Sequence, residues 1–197
     1  MSGRIEFKAG DKVVYPAHGV GEIVGKEKQE IVGVQIVVYV ISFLKDKMTL
    51  RVPVNRARES GLRALSDPKL VDQAVVTLKG RARPGRGMWS RRAQEYEAKI
   101  NSGDMISIAE VVRDLHKNVD DPDRSYSERI IYEAALGRLA GEMAAVESIA
   151  IEDATKKLET ILKLRRPANS NKKIKVTDKE EAVVEELEVF EEEFEAA

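Results

Sequence analysis

The spacing of the apolar residues changes once along this chain, near residue 66, and no single regular element satisfies both patterns. Before that point, apolar residues come as short β-rich runs punctuated by glycine and proline. "DKVVYP" is closed by Pro16, "GVGEIVGKEKQEI" carries Val20, Ile23 and Val24, and "VQIVVYVISF" is dominated by β-branched residues. "LKDK" then supplies a turn before "MTLRVPV". Four or five strands in about 50 residues predict a small, strongly bent barrel of the SH3 or Tudor type. Gly19-Val20-Gly21 provides positions where strands bend sharply. Its spacing is not that of a G-x-G-x-x-G phosphate loop, and no long amphipathic helix follows it.

From residue 66 the period becomes helical. "SDPKLVDQAVVTLKG" opens with Ser66 or Asp67 as cap and Pro68 in the first turn, lines up Leu70, Val71, Ala74, Val75 and Leu78, and stops at Gly80. A second helix is predicted from about Ser90 to Asn101, ending at Gly103. A third runs from about Asp104 to Asn118, with Ile108, Val111, Val112 and Leu115 as its stripe. Ser125-x-x-Glu128 reads as a capping box for a long fourth helix carrying Tyr132, Leu136, Leu139, Met143 and Val146. A fifth, about Ile151 to Leu164, is expected to bury Ile151, Ala154, Leu158 and Ile161. The expected fold is therefore α+β, a small SH3/Tudor-like β-barrel N-terminal domain followed by a compact five-helix C-terminal domain. The divisions fall at 1–65, 66–164 and 165–197, the last a flexible charged tail in which "RRPANSNKKIKV" breaks the pattern.

Only ten aromatics accompany 34% charged residues, so the core is aliphatic and the surface heavily charged. With no cysteine, disulfides, thiolate metal sites and cysteine nucleophiles are excluded, and a reducing compartment fits. "MSGRIEFKAGDK" has no hydrophobic signal region, and no apolar run approaches the roughly 20 residues of a membrane span. A cytoplasmic protein without membrane attachment is expected. His18 and His116 are the only histidines, and neither has a ligand partner at helical spacing. No serine elbow or phosphate loop appears, so no enzymatic activity, no catalytic residue, no metal and no cofactor is expected.

Two local features are more specific. In "GRARPGRGMWSRR", residues 80–92, the chain's only tryptophan lies in a glycine-rich, proline-broken stretch. From Lys79 to Arg92 there are six cations and no acid. Cations neutralise phosphates whatever the base sequence, and an aromatic among them can stack on a base or wedge into a groove. Trp89 packing back on the bundle as a staple is the structural alternative. In "MTLRVPV", a proline inside a β run belongs on an edge strand, and an unpaired edge is a template for a partner's strand. An ordinary edge blunted by Arg51 and Pro53 is the alternative there.

"GDKVVYPAHGVGEI", "TLRVP", "WSRR" and "IAEVVRDLH" together resemble the CarD/CdnL family of bacterial RNA polymerase-binding transcription regulators, in order and spacing, over roughly residues 5–164. The resemblance implies a Tudor-like domain, shared with the transcription-repair coupling factor, that docks on the polymerase β subunit. It also implies a helical domain that touches promoter DNA at the upstream edge of the bubble. On this chain it places Leu50, Arg51, Val52 and Pro53 at the polymerase and Trp89, Arg91, Arg92 and Arg86 at the DNA, with Trp89 as the minor-groove wedge. Gln29 stands where some members carry a polymerase-contacting arginine, and Gln94 where some carry a lysine near the DNA.

The function expected is a regulator that stabilises the open promoter complex, concentrated at the nucleoid through the polymerase. The competing possibility is a polymerase-binding interaction module whose helices recruit another protein rather than DNA. The acidic stretch Asp178–Ala197, ten acids against one lysine, ends in Ala196-Ala197, which resembles termini read by bacterial ATP-dependent proteases and makes such a protease a candidate partner.

Overall fold

A computed structural model describes residues 6–31, 34–43, 45, 47–85, 87–116 and 125–164. Five strands, β1 (Lys12–Tyr15), β2 (Gly19–Ile31), β3 (Val34–Phe43), β4 (Met48–Pro53) and β5 (Arg63–Ala64), form one antiparallel sheet in the order β4-β3-β2-β1-β5. A 3-10 turn at Val54–Arg56 joins β4 to β5. Five helices follow: α1 (Pro68–Lys79), α2 (Trp89–Asn101), α3 (Met105–Leu115), α4 (Tyr126–Glu147) and α5 (Ile151–Lys163). The fold is α+β, with the strands and helices in the predicted order. All of these elements belong to one compact unit.

The sheet encloses a core of Val13, Ile23, Tyr39, Ile41, Phe43, Val52 and Leu62, with Phe7 set edge-on against Tyr39. A register shift between Ile23 and Gly25 bends β2. Gly19 has φ +80°, which a residue with a side chain adopts only under strain. Gly21 is needed for a different reason: a Cβ there would lie 2.7 Å from Phe43 Cε1 and 2.8 Å from Ile41 Cγ2. The glycines expected to bend strands thus do two jobs, one conformational and one of close packing.

The helices bury a second core, with Val71, Ala74 and Leu78 of α1, Ile108, Val111, Val112 and Leu115 of α3, and Tyr132, Leu136, Leu139 and Met143 of α4. Ser125 Oγ accepts from Glu128 N at 3.2 Å, so the predicted cap starts α4. Asp104 caps α3 in the same way through Ser107 N. Three expectations need correction. Asp67 occupies the α1 cap position without a side-chain bond, and Ser66, the other candidate, sends its hydroxyl to Glu142 instead. Ile151 and Ile161 are both expected to be buried, but Ile151, the first residue of α5, is 48% exposed and Ile161 is only half-buried, because the buried face of α5 is Ala154, Leu158 and Leu162. The third helix ends at Leu115, and residues 117–124 lie outside the described set.

Sheet and helices are tied by polar contacts. Arg63 in β5 pairs with Glu142 in α4 and also donates from Nε and Nη2 to the carbonyl of Gly103, just beyond α2. Arg138 of α4 donates to the carbonyls of Pro16 and Ala17, in the β1–β2 turn.

Candidate functional site

Two surfaces carry the predicted site residues. The first is β4, which pairs with β3 on one side and stands at the end of the strand order. Its side chains alternate: Thr49 and Arg51 are exposed, whereas Met48 and Leu50 are half-buried and Val52 is in the core. Arg51 therefore faces outward with the half-buried Pro53 on the same face, Leu50 contributes a partial apolar edge, and Val52 turns its side chain into the core. Arg51 Nε lies 3.1 Å from Glu27 Oε2. In the sheet register Arg51 is opposite Val40, and Glu27 and Pro53 are opposite Val38. The ion pair thus crosses the outer face of β3, where Val38 and Val40 are both buried. Gln29, opposite Ile36, lies further along the same β2–β3 hairpin.

The second surface is the start of α2. Trp89 is its first residue, preceded by Met88 as a cap residue that makes no side-chain cap bond. The first turn contains no acid, so its free N–H groups and the helix dipole favour an anion. Arg91 is 80% exposed and only loosely paired with Glu95, at 3.4 Å. Arg92 is half-buried, with its guanidinium 5.3 Å over the Trp89 ring. Arg81 and Arg83 are exposed on the approach, and the Arg83 backbone N–H donates to Asp114 at 2.9 Å, pinning the loop to α3. Arg86 lies outside the described residues, as does 165–197 with its proposed protease signal at Ala196-Ala197.

Trp89 is neither fully free nor fully packed. Its ring sits 6.4 Å from that of Tyr96, against the helical core, and its Nε1 donates to Ser127 Oγ at 2.8 Å, yet the residue stays half-exposed. Tyr96 is 4% exposed, with its hydroxyl near the Gly85 backbone. Burial raises its phenol above the ordinary value, and the Asp114 carboxylate adds to this, while the Gly85 backbone, Arg92 and Lys99 oppose it. Gln94, on the same helix, is exposed.

Two participants escaped the sequence reading. Met88 is 77% exposed beside Trp89 and extends the apolar tip of the patch. Its position before the tryptophan was a signal that could have been read. Ser127 is 38 residues from Trp89 and carried no such signal. Among the described residues no group of three or more His, Cys, Asp or Glu side chains could hold a metal ion, and no helix is long and apolar enough to cross a membrane. A cleft of about 210 Å³ between β2 and α4 contains none of the predicted site residues.

Residues 7–66 match the CarD-like/TRCF RID domain family and residues 73–159 the CarD C-terminal domain family. Over 143 residues, 73% of this chain and 94% of the relative, the sequence is 27% identical to the Bacillus subtilis (strain 168) protein named "Putative transcription factor YdeB". Among solved structures, CdnLNt from Myxococcus xanthus is 39% identical, covering 32% of this chain and 90% of that one at a TM-score of 0.27. The 72-residue N-terminal domain of Myxococcus xanthus CarD is 25% identical, covering 32% and 84% at a TM-score of 0.27. With one family model matching the sheet and another the helices, in the order the resemblance predicts, the chain belongs to the CarD/CdnL family of bacterial RNA polymerase-binding transcription regulators.

Proposed function

We propose that the protein docks on the RNA polymerase β subunit through the β4 edge and stabilises the open promoter complex by contacting DNA at the upstream edge of the bubble through the start of α2. The observation that carries this reading is the make-up of that helix start. The chain's only tryptophan is its first residue, half-exposed, with exposed cations before and after it and no acid in the first turn. Phosphates are held by Arg91, the loop arginines and the free helix amides, which is indifferent to base sequence. The indole and Met88 supply an apolar edge for an unstacked base step.

The division of labour follows the chain. Residues 1–65 form the polymerase-interacting part, Leu50, Arg51, Val52 and Pro53 its docking strand, 66–164 the DNA-contacting part, and 165–197 a charged tail. Glu27 shares the Arg51 guanidinium until a partner carboxylate takes it over, so the docking residue is held in place without being neutralised at depth.

The test passes the protein over core polymerase in the presence of nuclease and then footprints it on a promoter. Retention without DNA, with protection at the upstream edge of the bubble, is expected. Retention without protection would favour recruitment of another protein by the helices.

A further inference from the structure

We propose that Ser127 is a positioning residue for Trp89, holding the indole in one orientation at the start of α2 before DNA arrives. This rests on the assignment of Trp89 to DNA contact made above. An indole has one N–H and accepts no hydrogen bond in return. Here that N–H donates to Ser127 Oγ at 2.8 Å. Ser127 is itself anchored: it is the second residue of α4, and its Oγ lies 3.1 Å from the Oγ of Ser125. Ser125 Oγ in turn accepts from Glu128 N. The cap that starts α4 thus continues into the anchor for the first side chain of α2.

The remaining contacts complete the hold. The Arg92 guanidinium lies over the indole and the Tyr96 ring lies 6.4 Å away, so the indole has neighbours at its N–H, over its ring and toward the core. None of them removes it from the surface, since Trp89 stays half-exposed. A side chain that rotates freely must give up that freedom on entering a complex, whereas an anchored one has already done so. The hydroxyl of Ser127 therefore favours the DNA complex without touching DNA.

Because Trp89 is the only tryptophan, its fluorescence reports this site alone. The experiment compares full-length wild type, Ser127→Ala, Ser127→Thr and Trp89→Ala by time-resolved anisotropy where the indole is present, thermal unfolding, and decay of the open complex formed with RNA polymerase holoenzyme on a promoter fragment. Ser127→Ala is expected to free the indole, leave the melting temperature near wild type, and shorten the open-complex lifetime about two- to ten-fold. Ser127→Thr, which keeps the hydroxyl, is expected to restore both indole motion and lifetime. Unchanged anisotropy in Ser127→Ala overturns the proposal, and so does a freer indole with an unchanged or longer lifetime. A lifetime that falls only together with the melting temperature overturns it as well. A lifetime shortened by Trp89→Ala but not by Ser127→Ala removes the positioning role alone, whereas one unaffected by Trp89→Ala removes the DNA-contact assignment beneath it.

Discussion

Arg63 in β5 and Glu142 in α4 form a two-pronged ion pair, Nη1 to Oε1 at 2.6 Å and Nη2 to Oε2 at 2.8 Å, with the carboxylate only 3% exposed. Ser66 adds a backbone and a hydroxyl donor to the same carboxylate, and Arg63 reaches on to Gly103. A carboxylate so enclosed is satisfied only while all of these donors are present. Arg63→Ala is expected to destabilise the protein by about 3 kcal/mol, because it leaves a buried charge unpaired. Arg63→Leu combined with Glu142→Leu should recover much of that loss. Thermal and urea unfolding of the wild type and the two variants checks both statements.

A second prediction concerns Tyr96. Its phenol is raised above 10.0, first by burial and then by Asp114. Below that pH the hydroxyl is protonated in both the folded and the unfolded chain. Above it the unfolded chain loses its proton first, so stability falls as pH rises past the unfolded value. Tyr96→Phe is expected to flatten this alkaline limb relative to wild type. Removing this one hydroxyl should change stability near pH 7 by no more than about 1 kcal/mol, the net worth of a single neutral hydrogen bond. Urea unfolding between neutral and alkaline pH measures both.

Much of this architecture is legible in the sequence because it is local. The switch from β-rich runs to a period of three or four depends on neighbours within one element, and so do the Ser125 cap and the Gly80 stop. The basic patch is equally local, which is why the order of residues along the chain is enough to single out Trp89, Arg91 and Arg92. The joints are not. Arg63 meets Glu142 at a separation of 79 residues and Arg138 meets Pro16 at 122, and no residue near either predicts its partner. Ser66 shows how a long-range partner overrides a local role: its sequence position suits a helix cap, but a buried carboxylate takes the hydroxyl. Ile151 fits the helical stripe by count and fails by placement, since only packing decides where a helix begins to be covered.

At the β4 edge, Arg51→Glu is expected to weaken binding to core polymerase by about 1.5–3 kcal/mol through loss of a charge-assisted hydrogen bond. The fold should persist, because the Arg51–Glu27 pair is exposed on both sides and such pairs contribute about 0–1 kcal/mol. Titration of labelled protein with core polymerase, together with a melting curve, separates affinity from folding. Wild-type affinity in this variant would end the edge-docking assignment.

Arg91 and Arg92 should behave differently although they are adjacent. Arg91 is exposed and loosely paired, so Arg91→Ala is expected to reduce the slope of log affinity for DNA against log salt by about one unit, the signature of one lost phosphate contact. Arg92 lies over the indole, so Arg92→Ala should also alter tryptophan fluorescence in the free protein. Salt-dependent binding isotherms and emission spectra distinguish the two.

The most direct test of the DNA-contact assignment is the decay of the open promoter complex after competitor challenge, measured for wild type and Trp89→Ala alongside their melting temperatures. A base–aromatic contact is worth about 1–3 kcal/mol, so Trp89→Ala should shorten the lifetime about five-fold or more while polymerase binding and the salt slope stay close to wild type. Some loss of melting temperature accompanies the loss of the Ser127 bond and the packing near Tyr96. A marked fall in melting temperature with unchanged decay would show that Trp89 serves the bundle alone, and would contradict the wedge.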